Sequence, residues 1–144
     1  MILKTIEDYL EAIYNLIKKK GYARTIDIAA SLNVRSPSVT EMVQKLDKDG
    51  FVVYEKHRGI ILTKKGEELA KSVTKRHETL VDFLKILGIE EEVAERDACS
   101  IEHCVHPTTM AGLSKFVEFL QNVPDDTEWL KHLEQYLKAE KHLE

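Results

Sequence analysis

The chain has 144 residues, of which 43% are hydrophobic and 32% charged, so it can bury an apolar core and is too apolar to be disordered. No stretch approaches the roughly 20 apolar residues that cross a bilayer, and the N-terminus has no signal-peptide core. We therefore expect a cytoplasmic protein that makes no membrane contact. Cys99 and Cys104 would lie on different faces of a helix, which favours reduced thiols over a disulfide.

Charge is distributed unevenly along the chain. Residues 1–76 carry a net charge of +5, whereas residues 77–144 carry −9. Only the first half is therefore suited to contact a polyanion such as nucleic acid. We predict two domains, residues 1–72 and 73–144.

Helical spacing begins near the N-terminus. Thr5 is a candidate cap, and apolar residues recur every three or four positions from Ile6 onward, which predicts a helix over residues 5–19. Asp8 and Glu11 lie three residues apart beside the apolar stripe. Two interpretations remain open for them. They are either solvated carboxylates of the first turn, which interact favourably with the helix dipole, or metal ligands.

Two short helices with a tight connection follow. Thr25 is predicted to cap the first, residues 33–35 form the turn, and Ser36 is predicted to cap the second with Pro37 at its first position. The second helix would turn its apolar residues inward, namely Val39, Met42, Val43 and Leu46. This is a helix-turn-helix pattern, whose second helix lies in the DNA major groove. An ordinary helical hairpin is the alternative.

The next segment predicts a β-hairpin. Gly50 ends the preceding helix, residues 51–54 and 60–62 have strand composition, and residues 55–59 form a charged turn. The whole segment then predicts a winged helix with phosphate contacts at the wing tip. The candidate DNA-binding residues are Arg35, Ser36, Pro37, Ser38, Thr40, Glu41, Gln44 and Lys45 on the recognition helix, with Lys56 and Arg58 on the wing.

The remainder of the chain predicts helices only. They cover residues 64–87, 90–105 and 107–120, and a final amphipathic helix follows Pro124. The expected fold class is mainly α, with an N-terminal winged helix-turn-helix and a small two-stranded wing, followed by an all-helical domain. His77 lies in the apolar stripe of the first of these helices, where a packing role and a ligand role both remain open.

Cys99, Glu102 and His103 are spaced to share one helix face. A thiolate, a carboxylate and an imidazole on one face can bind a first-row metal ion. The alternative is a buried cysteine beside a surface Glu-His pair.

These features together resemble the diphtheria-toxin-repressor and manganese-transport-regulator family of metal-dependent transcriptional repressors. The resemblance rests on the recognition-helix segment 36–46, the wing segment 54–63 and the pairs Arg76-His77 and Glu102-His103. It implies a homodimer that binds palindromic operator DNA when loaded with metal and controls metal-uptake genes. It does not imply an enzyme.

The resemblance also implies a set of metal ligands. The positions that match the manganese branch are Asp8, Glu11, His77, Glu102 and His103. Cys99 stands where that branch has a glutamate and matches the iron-responsive branch instead. Hard carboxylate oxygens suit Mn²⁺ and a thiolate shifts preference toward Fe²⁺, so we expect Mn²⁺ or Fe²⁺, with a slight preference for Fe²⁺.

The sequence also leaves two other functions to consider, a regulator of another kind and an enzyme. A winged-helix regulator could sense a small organic ligand and need no metal. A metalloenzyme is disfavoured, because the sequence has no nucleophile elbow and no glycine-rich phosphate loop.

Overall fold

The computed structural model describes residues 2–55 and 58–139. Within them the elements are α1 (Ile2–Lys20), α2 (Thr25–Leu32), α3 (Ser36–Lys48), β1 (Val52–Glu55), β2 (Gly59–Leu62), α4 (Lys64–Ile86), α5 (Glu91–Ile101), α6 (Pro107–Asn122) and α7 (Glu128–Ala139). The chain divides into two compact units between Lys75 and Arg76, inside α4. The prediction of a mainly helical protein that begins with a winged helix is confirmed.

Helix α1 begins earlier than predicted. It starts at Ile2, so the expected cap at Thr5 is wrong and Thr5 lies inside the helix. Ile2 and Ile6 are one turn apart, and the apolar repeat therefore extends to the start of the chain. The helix ends at Lys20, and Gly21 follows it with a positive φ of 85° that glycine adopts without strain.

Helices α2 and α3 form the predicted helix-turn-helix. Asn33 joins them in the left-handed conformation, with φ of 54°, and the backbone N–H of Asn33 donates to the carbonyl of Ala29. Asparagine is one of the few residues other than glycine that adopts this conformation at low cost. The connection is therefore tight, as the motif requires.

The caps predicted for these two helices are wrong. Thr25 and Ser36 are the first helical residues, and Arg24 and Arg35 precede them with extended backbones and no side-chain cap. Pro37 therefore occupies the second helical position, where its missing N–H still costs no intrahelical hydrogen bond.

The wing is a two-stranded antiparallel hairpin in which Val52 pairs with Leu62 and Glu55 with Gly59. Each predicted strand is therefore confirmed to within one residue. Lys56, which we predicted at the wing tip, lies outside the described residues.

The hairpin is joined closely to the start of α4. Thr63 caps α4, because its Oγ1 accepts from the backbone N–H of Gly66 at 3.1 Å. The Thr63 hydroxyl also lies 2.7 Å from the carbonyl of Gly50, to which it donates. A Cβ at Gly66 would collide with the carbonyl oxygen of Phe51. Glycine at this position allows the helix to approach the hairpin.

A single apolar core holds the first unit together. Its largest fully buried side chains come from α1, both helices of the helix-turn-helix and the hairpin: Leu10, Ile13, Ile28, Val39, Val43, Leu46, Val52 and Ile60. Met42 packs against this core while remaining partly exposed. The inward face predicted for the recognition helix is therefore confirmed.

The second unit has a smaller core made by α4, α5 and α6, whose buried residues are Leu80, Val81, Ala94, Ala98 and Met110. Helix α5 stops at Ile101 rather than near residue 105, and Glu102 is its C-cap. Phe116 of α6 is apolar and 49% exposed. No residue of α7 is buried, and Trp129 of that helix stacks on Phe119 with ring centroids 6.2 Å apart.

Candidate metal centre and nucleic-acid interface

His77 lies between two carboxylates of the second unit. It projects from α4 with 18% of its side chain exposed. Its Nδ1 is 2.8 Å from Oε2 of Glu102, and its Nε2 is 2.6 Å from Oε2 of Glu95. Both ring nitrogens therefore have a carboxylate partner, one at each end of the imidazole.

These partners raise the pKa of His77 to about 9. The hydrogen bond to Glu102 is the largest cause, and the bond to Glu95 adds to it, while burial opposes both. Imidazolium donates from both nitrogens, so this geometry suits the charged ring. A histidine binds metal only through a deprotonated nitrogen, and a metal ion at His77 must displace a proton.

Cys99 and Glu102 bring two further donors to the same place. The Cys99 sulfur is 3.8 Å from His77 Nδ1. One ligand atom from each of His77, Cys99 and Glu102 lies within 4.8 Å of the others. Cys99 is exposed and Glu102 is only 1% exposed, so the cluster reaches from the surface into the interior.

The donor set fits a divalent transition-metal ion. Imidazole, thiolate and carboxylate are its usual protein ligands. The buried Oε1 of Glu102 accepts no hydrogen bond from any residue that the structure describes, and His103 Nε2 lies 3.3 Å from it. A buried carboxylate oxygen that accepts no hydrogen bond lowers the stability of the fold unless a cation compensates its charge.

Arg76 fixes the end of α5 beside this cluster. Its Nη1 donates to the backbone carbonyl of Glu102 at 2.8 Å. Because α5 ends at Ile101, Cys99 is helical, Glu102 is the C-cap and His103 lies beyond the helix. The prediction of one continuous helix face for these three residues is therefore wrong at its C-terminal end. Glu102 retains helical dihedrals, and this keeps it next to His77.

Asp8 and Glu11 are both half-buried on α1 of the first unit. Both take part in polar interactions. Their role as metal ligands stays a prediction.

Most predicted DNA-contacting residues of the first unit are exposed, namely Arg35, Ser36, Pro37, Ser38, Glu41, Gln44, Lys45 and Arg58. Thr40 is half-buried, and its hydroxyl donates to the carbonyl of Ser36 at 3.2 Å. Arg58 has 82% of its side chain exposed and lies 3.3 Å from Glu55. The start of α3 and the wing therefore present polar groups and a cation to solvent.

Glu95 was missed by the sequence analysis. It lies on α5 one turn before Cys99 and two turns before the C-cap residue Glu102. Spacings of four and seven residues place these three on one face, and that pattern is the signal that could have found it.

Two family models match the chain, one over each part. Residues 1–60 match the N-terminal DNA binding domain of the iron dependent repressors, and residues 63–131 match the metal binding and dimerisation domain of the same proteins.

Curated relatives give the same result. The chain is 48% identical over 121 residues to the HTH-type transcriptional regulator MntR of Lysinibacillus sphaericus, covering 84% of this chain and 87% of that protein. It is 46% identical to MntR of Listeria welshimeri, covering 90% and 92%.

Solved structures with this fold include the manganese regulator SloR, with a TM-score of 0.70, 34% identity, and coverage of 79% of this chain and 54% of that one. A manganese-dependent transcriptional repressor in complex with manganese has a TM-score of 0.72 and 27% identity, with coverage of 79% and 53%. The chain spans about half the length of these solved proteins.

A winged helix followed by a helical metal-binding unit defines the class of metal-dependent transcriptional repressors. The chain belongs to the iron-dependent repressor family of that class. DNA and a second copy of the chain are confirmed as partners, and a divalent metal ion as ligand. The family consists of DNA-binding repressors, not enzymes. No helix in the described part of the chain could cross a membrane.

Proposed function

We propose that this chain represses metal-uptake genes in the cytoplasm by binding palindromic operator DNA as a homodimer when Mn²⁺ or Fe²⁺ occupies the site. The observation that carries the proposal is the convergence of His77, Cys99 and Glu102, whose ligand atoms lie within 4.8 Å of one another. His103 is the next candidate donor, since its Nε2 is 3.3 Å from Glu102.

The donor chemistry favours two candidate metals, Mn²⁺ and Fe²⁺. Glu102 contributes a hard oxygen and His77 a borderline nitrogen, which suit Mn²⁺, and two solved relatives are described as manganese regulators. The thiolate of Cys99 favours Fe²⁺ over Mn²⁺. The proposal therefore keeps both ions, and Cys99 is the residue that sets the balance between them.

Asp8 and Glu11 are proposed to complete the ligand set, as the family resemblance implies. Both lie on α1, which belongs to the DNA-binding unit. A bound divalent cation supplies the positive charge that turns the mutual repulsion of these carboxylates and Glu102 into attraction. The ligands would then hold the DNA-binding unit at a fixed position relative to the second unit of its own chain.

Operator binding depends on the position at which the DNA-binding unit is held. In a homodimer the two recognition helices must enter successive major grooves, about 34 Å apart or a multiple of it. Metal-bound side chains that restrain α1 raise the population of dimers with this spacing. The metal ion thereby acts as a corepressor. The exposed residues at the start of α3 would read base edges, and Arg58 of the wing would contact phosphate.

The test compares ligand variants in DNA binding. A DNA fragment selected from a random library in the presence of Mn²⁺ serves as probe. His77→Ala and Glu102→Ala are expected to abolish the tightening of DNA binding by Mn²⁺ and Fe²⁺ while circular dichroism shows retained helix. Glu92→Ala, a change of one exposed charge on α5, is the control and should respond as the parent does.

Unchanged metal dependence in both ligand variants would refute the site. DNA binding that ignores metal altogether would favour a regulator of the organic-ligand type instead.

A pair of cysteines tests metal preference. Cys99→Ser should weaken Fe²⁺ binding more than Mn²⁺ binding, because it replaces a soft sulfur by a hard oxygen. Cys104→Ser makes the same sulfur-to-oxygen change at the other exposed thiol and should alter the affinity for neither Fe²⁺ nor Mn²⁺. Equal losses for both ions in Cys99→Ser would exclude Cys99 as the source of any preference for iron.

A further inference from the structure

We propose that Glu95 is a positioning residue for the metal site: it accepts the Nε2–H of His77 and thereby presents Nδ1 to the ion. The inference rests on the proposed function, because it assigns a role to a residue beside the ligands.

The two ring nitrogens of His77 face different surroundings. Nδ1 points to the proposed ligands, 2.8 Å from Glu102 Oε2 and 3.8 Å from the Cys99 sulfur. Nε2 points away from them to Glu95 Oε2 at 2.6 Å. An ion held by Cys99 and Glu102 would therefore meet Nδ1, and the proton of neutral His77 would remain on Nε2.

A carboxylate that accepts the second N–H of a metal-bound histidine has a known physical effect. It selects the tautomer, fixes the ring orientation and makes the coordinating nitrogen more basic. Glu95 meets the geometric condition for this role. A contact of 2.6 Å is also short for an N–H···O bond, as expected for an ionised acceptor.

Helix α5 places Glu95 where this role is possible. Glu95 and Cys99 are one helical turn apart, and Glu102 follows Cys99 by three residues at the end of the same helix. One face of α5 and its C-cap therefore hold His77 from both sides. Glu95 is half exposed, with 51% of its side chain accessible, and so its effect should be moderate.

The side of His77 that Glu95 covers opens to solvent. His77 and Glu95 are among the residues that line an open cavity of about 340 Å³. The other charged residues that line the cavity are mostly acidic, with Glu78, Asp82 and Glu91 beside the basic Lys85. Removal of the Glu95 carboxylate would leave Nε2–H facing water.

Magnetic resonance of the Zn²⁺-loaded, ¹⁵N-labelled full chain tests the assignment. In the parent protein we expect the His77 shifts to show metal on Nδ1 and a slowly exchanging proton on Nε2. In Glu95→Ala the metal should stay on Nδ1, while the Nε2 proton exchanges with water too fast to observe. Metal on Nε2 in the parent protein would overturn the proposal.

Metal affinity supplies a second readout. After correction for the proton that His77 releases on metal binding, Zn²⁺ affinity should fall by about 10-fold in Glu95→Ala, the low end of the range for such partners, because Glu95 is half exposed. Glu95→Gln should recover part of this loss, since its amide oxygen can still accept the Nε2–H. Glu92→Ala removes the same charge one turn earlier and should leave affinity and exchange unchanged.

The outcomes separate this proposal from the function on which it rests. If the parent protein binds Zn²⁺ through Cys99 and Glu102 and Glu95→Ala matches Glu92→Ala in both readouts, the role of Glu95 is refuted and the metal site stands. If the parent protein binds no metal at His77, both are refuted.

Discussion

The protonation of His77 in the metal-free protein gives the sharpest prediction. Glu102→Gln removes the negative charge that is the main cause of the raised pKa of His77. We expect that pKa to fall from about 9 by roughly 1 to 3 units, the usual effect of one close opposite charge. Glu95→Gln should lower the pKa of His77 less, because Glu95 is half exposed whereas Glu102 is buried.

The same shift makes stability depend on pH. Protonated His77 stabilises the fold, and the full stabilisation is present below its unfolded pKa of 6.5 and is lost as pH rises through about 9. At about 1.4 kcal/mol per unit, the shift corresponds to about 3 kcal/mol as an upper limit, which the solvent exposure of Glu95 reduces. Urea unfolding of the metal-free parent should therefore show stability declining between these pH values, and His77→Gln should show less decline.

Proton resonances of the histidine rings, followed from pH 5 to 10, provide the assay. His77→Gln identifies the resonance by its disappearance. A pKa of His77 near 6.5 in the parent protein would refute the account of its surroundings. A larger fall in Glu95→Gln than in Glu102→Gln would show that the order of causes is reversed.

Three further predictions concern the DNA-binding unit. Gly66→Ala should lower the free energy of unfolding by about 1 to 3 kcal/mol, because its Cβ would collide with the Phe51 carbonyl; denaturation that matches the parent protein would contradict this close approach. Asn33→Gly should be tolerated and Asn33→Val should destabilise by about 1 kcal/mol or more, because Asn33 has a positive φ; equal melting temperatures would argue against that turn. Arg58→Ala should weaken binding to all DNA sequences alike and reduce the salt slope by about one, since we expect a phosphate contact; a loss confined to one sequence would indicate base reading.

Local pattern explains most of the fold. The helices of the first unit follow from apolar spacing, and the turn predicted over residues 33–35 is confirmed to begin at Asn33. The caps at Thr25 and Ser36 were placed one residue late, because the backbone becomes extended at Arg24 and Arg35 and no side chain closes the cap. Residue type alone does not reveal that dihedral change.

The second unit was harder to predict. No glycine or proline marks the end of α5 before Pro107, so the helical pattern continued past Ile101, where the structure turns. Phe116 matches the apolar stripe of α6 but is 49% exposed. Periodicity identifies an apolar face and cannot tell whether the same chain buries it.

The candidate site was predictable in its members and not in its geometry. Cys99, Glu102 and His77 were selected from residue type, spacing and family resemblance, and the structure brings these three together. The contact of Glu95 with His77 depends on how α4 packs against α5, which sequence spacing does not determine. That packing also explains why a histidine among leucines is a partner of two carboxylates.

The coupling between metal and DNA tests the central claim most directly. If the metal ion bound in the second unit controls DNA binding by the first unit, the two binding events are thermodynamically linked. Metal and DNA must then strengthen each other's binding by the same factor, typically about 5- to 150-fold. The measurement is the Mn²⁺ affinity of the full chain, with and without saturating selected DNA, at one pH and salt concentration. We predict that DNA tightens Mn²⁺ binding by the factor with which Mn²⁺ tightens DNA binding; an Mn²⁺ affinity that DNA leaves unchanged would contradict the account.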